Sequence, residues 1–238
     1  MRFQGKKIVV IGGSSGMGLA TAKAAAAEGA GVIIASRSEE KLRQAKAQIQ
    51  GSVEGLTVNV MDEASVKAFF DRVGEFDHLT TPGSEAVMGP FLSLDTQAAR
   101  KGFDSKFWGQ YHAAKYGAPK IRTGGSITFF AGIWSQRPIA RASVVAAINS
   151  AIEGLGRALA IELAPIRVNT VSPGIVDTPL YAGMAPNKKG AMFKEAAASI
   201  PAKRVAKPEE IAQTVLYLMA NSYTTGSTLY VDGGATLR

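Results

Sequence analysis

Three glycines near the start of the chain have the spacing of a phosphate-binding turn. Gly12, Gly16 and Gly18 follow an apolar run and precede an alanine-rich stretch, so Lys7 to Glu28 is predicted to form a strand, a tight turn and a helix. Such a turn brings backbone N–H groups close to an anionic ligand at the helix N-terminus. Because a glycine turn can also be a simple connection, the segment by itself indicates a nucleotide site without establishing one.

The composition limits the chemistry that the chain can perform without a cofactor. Its 238 residues include no cysteine and two histidines, His78 and His112, which lack metal-ligand spacing. Thiolate chemistry is excluded, no metal site is expected, and a redox role needs a bound cofactor. The net charge of +8 comes from dispersed basic residues without interleaved aromatics. This pattern favours solvated helix faces and attraction for phosphorylated small molecules over nucleic-acid binding.

Strand and helix signals alternate along the whole chain. After the first unit, strands are predicted at Gly31–Ala35, Leu56–Val60, Phe76–Thr80, Ser126–Phe130, Arg167–Val171 and Thr228–Val231. Helices are predicted after the caps Ser38 and Asp62, and at Asp95–Tyr116, Ser143–Leu163 and Glu209–Ala220. The segment Pro173–Pro201 is expected to be a mobile loop or short helices over a site.

This alternation predicts an α/β fold made of one doubly wound, Rossmann-like domain over residues 1–238. About seven parallel strands would carry about six helices on both faces, with a ligand crevice at the carboxyl edge. No apolar run is long enough to span a bilayer or to resemble a signal sequence. We therefore expect a soluble, cytoplasmic protein without a membrane partner.

Four motifs together resemble the short-chain dehydrogenase/reductase family. Gly12–Gly18 matches the pattern Gly-x-x-x-Gly-x-Gly, although Ile11 stands where threonine is usual. Asn59 and Val60 lie where the family binds adenine, with Asn in place of the customary Asp. Arg167–Thr178 resembles the segment that lines the nicotinamide, and the ending Gly226–Gly234 is typical of the family. The resemblance implies an oxidoreductase acting on a small-molecule carbonyl or alcohol.

The resemblance also implies a set of cofactor-binding residues. They are Gly12, Ser14, Ser15, Gly16, Met17, Gly18, Ser36, Arg37, Asn59, Val60, Thr80, Pro82, Gly83, Lys106, Pro173, Gly174, Val176 and Thr178. The cofactor NADP(H) is favoured because Ser36 and Arg37 stand where an NAD-preferring site would have an acid. Arg37 can pair with a 2′-phosphate and Ser36 can donate to it. The alternative is an ordinary surface arginine.

The chain departs from the family at all four catalytic positions. The tyrosine position falls on Val145, the lysine position on Asn149, the serine position on Gly132 and the asparagine position on Lys106. The usual Asn-Asn-Ala-Gly is replaced by Thr80–Gly83. Because valine cannot donate a proton, an active enzyme needs a different donor.

Lys106 and Asn149 exchange the two residue types that face each other across the nicotinamide ribose in the family. The exchange would keep one ammonium and one amide in the site. We expect Lys106 to bind the ribose or polarise a substrate carbonyl, with Asn149 orienting it. The alternative is coincidence, with a surface lysine and a packing asparagine. In the family, the helices that carry these two positions also form a homodimer or homotetramer.

Other side chains could supply the missing proton. Ser135 and Tyr181 are candidate catalytic residues, Arg137 is a third candidate, and Trp134 is expected to line a substrate pocket. Two residues, Tyr111 and Lys115, reproduce a Tyr-x-x-x-Lys spacing on the wrong helix, where a helix face at a subunit contact is the better interpretation.

Two functions therefore remain open. The first is an NADP(H)-dependent oxidoreductase with a non-standard catalytic site. The second is a non-catalytic NADPH-binding protein that acts as a sensor or partner subunit, since the usual catalytic side chains are absent. Nucleic-acid binding is a third reading that rests on charge alone.

Overall fold

A seven-stranded parallel sheet forms the centre of the molecule, in a computed structural model that describes residues 1–82 and 87–237. The strands are β1 (Lys7–Ile11), β2 (Gly31–Ser36), β3 (Val53–Thr57), β4 (Phe76–Thr80), β5 (Ile121–Phe130), β6 (Arg167–Pro173) and β7 (Thr228–Val231). Their order is β3-β2-β1-β4-β5-β6-β7, and every pair is parallel. The prediction of a doubly wound α/β fold is confirmed.

Helices cover both faces of the sheet. They are α1 (Gly16–Ala27), α2 (Glu39–Lys46), α3 (Glu63–Val73), α4 (Thr96–Phe103), α5 (Gly109–Gly117), α6 (Ser143–Glu162), α7 (Pro186–Ser199) and α8 (Pro208–Ala220). One hydrophobic cluster joins the sheet to α3, α5 and α6, and a second joins it to α1, α2 and α8. These two clusters are the two sides of a three-layer core.

The described residues contain more helices than the six expected. The predicted helix Asp95–Tyr116 is one helical run, but a π-helical turn at Asp104–Trp108 separates α4 from α5. The expectation of a loop or short helices over Pro173–Pro201 is wrong for α7, which has 14 residues. None of its residues is buried, so it lacks the strong apolar stripe that marks a core helix in a sequence.

Two strands differ from their predicted boundaries by three residues or more. The third strand ends at Thr57, which leaves Asn59 and Val60 in the connection to α3. The fifth strand begins at Ile121, before Gly124 and Gly125, because glycines inside a strand weaken its sequence signal. In both cases the predicted strand is present, and the position of its ends in the structure differs from the prediction.

The topology places the ends of four strands around one crevice. Strand β1 lies between β2 and β4, so the chain connections leave the sheet in opposite directions on either side of β1. Ligands of doubly wound sheets bind at this switch point, at the carboxyl ends of the strands. The glycine turn follows β1 at this edge.

Within residues 1–82 and 87–237, helix α6 is the one helix long and apolar enough, by length and composition, to cross a membrane. The core helix of a soluble protein satisfies the same criterion. Its residues Ile148 and Ile152 are buried in the core cluster that contains Ile127 and Phe129 of β5. Packing on the sheet therefore accounts for the apolar character of this face of α6.

Candidate functional site

A cleft of about 560 Å³ lies at the carboxyl edge of the sheet. One wall is the glycine turn and the start of α1, and the opposite wall comes from α6 and the residues that follow β5 and β6. Predicted site residues that line it are Gly12, Ser15, Gly16, Met17, Pro82, Lys106, Asn149, Pro173, Gly174, Thr178 and Tyr181. The cleft thus brings the predicted cofactor segments together with the exchanged Lys–Asn pair.

The glycine turn has the close backbone packing that a phosphate cradle requires. A Cβ on Gly18 would lie 2.2 Å from the carbonyl oxygen of Gly12, so the first helical turn folds directly over the end of β1. Gly12 and Gly16 have positive φ angles of 86° and 52°, which favour glycine. The Ser15 side chain makes no capping hydrogen bond to the first turn of α1. The first N–H groups of this helix are therefore available to an anion.

The segment after β6 closes the same end of the cleft. A Cβ on Gly16 would lie 3.4 Å from Cβ of Thr178, so Thr178 lies beside the glycine turn. Gly174 packs more closely still, because its Cβ would be 2.9 Å from Cα of Asp232, and its N–H donates to the carbonyl oxygen of Val231. The segment predicted to line the nicotinamide therefore packs directly against the chain ending Gly226–Gly234.

Lys106 and Asn149 are in direct contact at the floor of the cleft. Lys106 lies in the π-helical turn and Asn149 on α6, and Lys106 Nζ donates to Asn149 Oδ1 at 2.7 Å. The same ammonium donates to the carbonyl oxygen of Ala131 at 2.9 Å. The third N–H of the ammonium remains for another acceptor.

This contact fixes the orientation of the Asn149 amide. An ammonium group can only donate, so the amide oxygen must face Lys106 and the NH₂ group must face away. The Nδ2 atom points at Gly132, where an added Cβ would lie 3.0 Å from it. The absence of a side chain at Gly132 leaves this N–H donor facing the cleft. The pair therefore presents two kinds of donor, an ammonium and an amide.

The surrounding protein lowers the pKa of Lys106 from its usual value to about 8, because burial removes water from the ammonium. A lysine with this pKa is largely protonated at neutral pH and can release a proton near physiological pH. Val145, at the position of the family's tyrosine, is buried and contributes an apolar wall to the same cleft.

The structure directs the Ser135 hydroxyl toward α6. Ser135 Oγ donates to Glu153 Oε1 at 2.5 Å, and Gln136 and Tyr230 donate to Oε2 of the same buried carboxylate. Ser135 does not appear among the described residues that line the cleft. These contacts tie the segment after β5 to α6 and β7. Arg137 donates to the carbonyl oxygen of Ala235.

Tyr181 lines the cleft together with Trp134, as expected for Trp134. The Tyr181 ring packs edge-to-face against Phe193 of α7, with centroids 5.4 Å apart. Burial, and to a lesser degree the charge of Asp177, raise the pKa of Tyr181. Tyr181 therefore remains a protonated phenol in the cleft at neutral pH.

The other predicted cofactor residues that the structure describes lie at or after the carboxyl ends of the strands. Ser36 ends β2, and its hydroxyl donates to the carbonyl oxygen of Ser38, while Arg37 is exposed beside it. Asn59 caps its own turn through Oδ1, and Thr80 donates to Thr128 inside the sheet. Ser14, Val60 and Val176 lie near the same edge, and Gly83 lies outside the described residues.

Two polar residues near this site were not predicted. Lys41 lines the cleft, four residues after Arg37, so a second cation stands on the same side as the end of β2. No local pattern singles it out, because Arg37 precedes the N-cap Ser38 and so shares no helix face with Lys41. Gln110 is buried beneath Lys106 and carries no sequence signal. Among the described residues, no group of three or more His, Asp or Glu side chains could hold a metal ion.

Comparison with known proteins identifies relatives along the whole length. A family model described as enoyl-(acyl carrier protein) reductase matches residues 11–236. Short-chain dehydrogenase/reductase ATR9 of Stachybotrys chlorohalonatus is 32% identical over 252 residues, covering 99% of both chains. L-xylulose reductase of Bos taurus is 31% identical over 243 residues, covering 98% of both chains.

Solved structures agree with these relatives. A small-chain dehydrogenase in complex with NADPH is 37% identical, with a TM-score of 0.85 and coverage of 98% of this chain and 99% of that one. A short-chain dehydrogenase/reductase family protein is 33% identical over the full length of both chains, with a TM-score of 0.92.

The fold and the cleft define an α/β protein of the doubly wound class. The chain belongs to the short-chain dehydrogenase/reductase family. The resemblance predicted from the sequence is confirmed, and so is the prediction of an oxidoreductase of this type, since the matched family model and relatives are named reductases.

Proposed function

We propose that this protein is an NADP(H)-dependent oxidoreductase that interconverts a carbonyl and an alcohol, with Lys106 and Asn149 in place of the family's usual catalytic side chains. The observation that carries the proposal is the 2.7 Å hydrogen bond from Lys106 Nζ to Asn149 Oδ1 in the cleft. It puts the exchanged ammonium and amide together beside the nicotinamide-lining segment.

The cofactor half of the proposal rests on the glycine turn and on charge. Gly12, Gly16 and the open N-terminus of α1 fit a pyrophosphate, and Arg37 and Lys41 supply two cations for a 2′-phosphate. A related structure described as an NADPH complex supports this choice. Bound NADPH would supply the hydride for reduction.

The chain's own residues would handle the charge that develops on the substrate oxygen. Asn149 Nδ2, held outward by the ammonium, would donate a hydrogen bond to this oxygen. Lys106 would stabilise the alkoxide with its positive charge and then give it a proton, becoming a neutral amine that is reprotonated by water. In the oxidative direction neutral Lys106 would take the alcohol proton.

The walls of the cleft favour a substrate with an apolar body. Trp134, Val145, Leu180 and Tyr181 line the cleft around the polar pair, and Val145 occupies less volume than the tyrosine that is usual at its position. Relatives named for ketose sugars make L-xylulose and D-erythrulose necessary comparison substrates. We expect cyclic or aromatic ketones to be better substrates than these two ketoses.

We further propose a cytoplasmic homodimer or homotetramer formed through the helices that carry Lys106 and Asn149. An apolar groove between α5 and α6 is lined by Tyr111, Ala114, Leu159 and Leu163. Ile161, which also lies on α6, is 81% exposed. A second copy of the chain would cover this surface. Lys115, on the edge of the groove, pairs with Glu63 at 2.8 Å.

The pH dependence of reduction tests the role of Lys106. The pKa of Lys106 is lowered to about 8, so its ammonium form predominates below this pH and is lost above it. We expect kcat/KM for ketone reduction to be constant below this value and to fall ~tenfold per pH unit above it. Oxidation of the alcohol should show the opposite trend. A reduction profile that stays flat from neutral pH to well above the break contradicts the assignment.

Neutralising Arg37 tests the choice of NADP(H). Arg37→Gln removes a charge-assisted contact to the 2′-phosphate, so KM for NADPH should rise ~10–100-fold while KM for NADH changes little. The matched control is Arg43→Gln, since Arg43 is exposed on α2 and pairs with Glu40 at 2.7 Å. Equal effects on NADPH and NADH, or an effect of the control as large as that of Arg37→Gln, would count against the assignment.

A non-catalytic NADPH-binding protein is the second candidate, and Val145 at the proton-donor position favours it. In that case Lys106 would only bind the cofactor ribose. The two functions differ in one measurement. An NADPH complex whose cofactor stays unoxidised across a panel of polyol, cyclic and aromatic ketones supports the binding protein, while consumption of NADPH with alcohol formation supports the enzyme.

A further inference from the structure

Gln110 makes four hydrogen bonds beneath the Lys–Asn pair. Its side chain is buried, with 3% of the residue exposed. Oε1 accepts from the N–H of Phe130 at 2.8 Å and from Thr81 Oγ1 at 2.7 Å. Nε2 donates to the carbonyl oxygens of Phe130 at 3.0 Å and Lys106 at 3.1 Å. All donors and acceptors of the amide are therefore used.

The two bonds to Phe130 replace a missing piece of β-sheet. The pairing of β4 with β5 ends at Thr80 and Thr128, two residues before Phe130. On its other side, β5 continues to pair with β6 through Val171. Gln110 offers one donor and one acceptor to the peptide groups of Phe130, which two successive peptide groups of a longer β4 would otherwise pair in the parallel ladder. The end of β5 is thereby held after β4 has left the sheet.

The bond to Lys106 connects this strand end to the cleft lysine. The turn around Lys106 is π-helical, with the N–H of Gly109 bonded to the carbonyl oxygen of Asp104. Such turns widen the helix and occur often at functional sites. Gln110 Nε2 holds the main-chain carbonyl of Lys106, while Lys106 Nζ reaches the Ala131 carbonyl next to Phe130. A closed ring of contacts thus runs from Gln110 through Phe130, Ala131 and Lys106 back to Gln110.

We propose that Gln110 is the positioning residue for Lys106, because its amide fixes the main chain of Lys106 to the end of β5 and so keeps Nζ on Ala131 and Asn149. This role rests on the proposed function of Lys106. Without the amide, the π-helical turn and the strand end are free to separate, and the ammonium can turn toward water.

The first test uses Gln110→Met, which keeps the length of the side chain and removes all four hydrogen bonds. The matched control is Gln97→Met, an exposed glutamine on α4 in the same helical run. In the ligand-free protein, the titration of Lys106 is followed by NMR of labelled lysine, with the signal assigned by its loss in Lys106→Met. We expect the pKa of Lys106, about 8 in the native protein, to move upward in Gln110→Met because the ammonium gains water, and to stay in place in the control.

Hydrogen exchange of the β5 amides gives a second readout without substrate. The Phe130 amide should exchange ~10-fold faster or more in Gln110→Met, since its acceptor is gone. Thr81→Val removes one contact of Gln110 and keeps its bonds to Phe130 and Lys106, so Phe130 should stay protected in this variant. A Phe130 amide that exchanges as fast in Thr81→Val as in Gln110→Met would count against the role of the Gln110 amide. Gln110→Glu should keep the acceptor bonds to Phe130 and Thr81 but lose the donors, and so should release Lys106 while protecting Phe130.

Turnover then separates the positioning role from the proposed function. If the native protein reduces a ketone, Gln110→Met should lower kcat ~10-fold or more with KM for NADPH within ~threefold. If no ketone is reduced, the proposed function fails, while the Lys106 titration and the exchange data still decide the positioning role. An unshifted Lys106 titration in both Gln110→Met and Gln110→Glu would overturn it.

Discussion

Lys106→Met is expected to lower kcat/KM for ketone reduction by about 10²- to 10⁴-fold, the range lost when an enzyme is deprived of a positioned general acid. The methionine fills a similar volume but cannot donate to Ala131 or Asn149, both of which accept from the ammonium in the native protein. The Asn149 amide also loses the contact that fixes its orientation, so both donors to the substrate oxygen are affected. Steady-state reduction of the best ketone of the panel measures the loss.

Binding separates this effect from loss of the cofactor. The glycine turn and the 2′-phosphate cations are untouched, so Kd for NADPH, measured by fluorescence, should rise by no more than ~10-fold. The matched control is Lys115→Met, which removes the exposed lysine of the Tyr-x-x-x-Lys spacing and its ion pair with Glu63. Activity close to native is expected for this control. Full activity of Lys106→Met, or a larger loss in Lys115→Met, would remove Lys106 from the mechanism.

The contact of Lys106 with Asn149 shows what the sequence could predict about the site. The two positions lie 43 residues apart, and their proximity was expected because the family places them on facing helices. The exchange of residue types suggested a preserved pair, and the structure brings the two side chains together. The second acceptor of the ammonium, the carbonyl oxygen of Ala131, could not be predicted, because it depends on how the end of β5 packs beside Lys106.

Gln110 and Ser135 show where sequence reasoning stops. A single glutamine in a helix has no periodic or motif signal, and the role of Gln110 arises only because β4 ends two residues before β5 at this point. Ser135 was a candidate proton donor by its place after β5, yet its hydroxyl is bonded to Glu153, 18 residues away on α6. Both outcomes depend on tertiary contacts between segments that local patterns treat separately.

The fold was predictable because each of its strands and most of its helices leave a local pattern of apolar residues in the sequence. Seven apolar runs alternate with helical periods, and each run appears as a strand of one parallel sheet. The misjudged element, α7, buries none of its residues and begins at Pro186, so its sequence resembles a polar connection. Boundaries shifted where glycines interrupt the pattern, as in β5. The buried strands of the sheet therefore leave a stronger signal in the sequence than the exposed helix α7 does.

Gly18→Ala is expected to remove NADPH binding, raising Kd ~100-fold or more, and to lower the free energy of unfolding by about 1–3 kcal/mol. The new Cβ would lie 2.2 Å from the carbonyl oxygen of Gly12 and 3.0 Å from Cα of Gly13. Both neighbours are main-chain atoms, so no side-chain rotation relieves the overlap, and the turn itself must open. The N–H groups at the start of α1 then lose the arrangement that fits a pyrophosphate.

Gly190→Ala is the matched control, because a Cβ at Gly190 of α7 meets no atom within 4 Å. This substitution should leave NADPH binding unchanged and should stabilise the helix by about 0.5–1 kcal/mol, since alanine loses less conformational freedom than glycine. Titration calorimetry with NADPH and urea unfolding measure the two effects on both variants. Native-like NADPH affinity in Gly18→Ala would show that the turn is only a connection between β1 and α1. Weakened binding in Gly18→Ala alone would place the phosphates at this turn, because the two proteins differ only in where one methyl group is added.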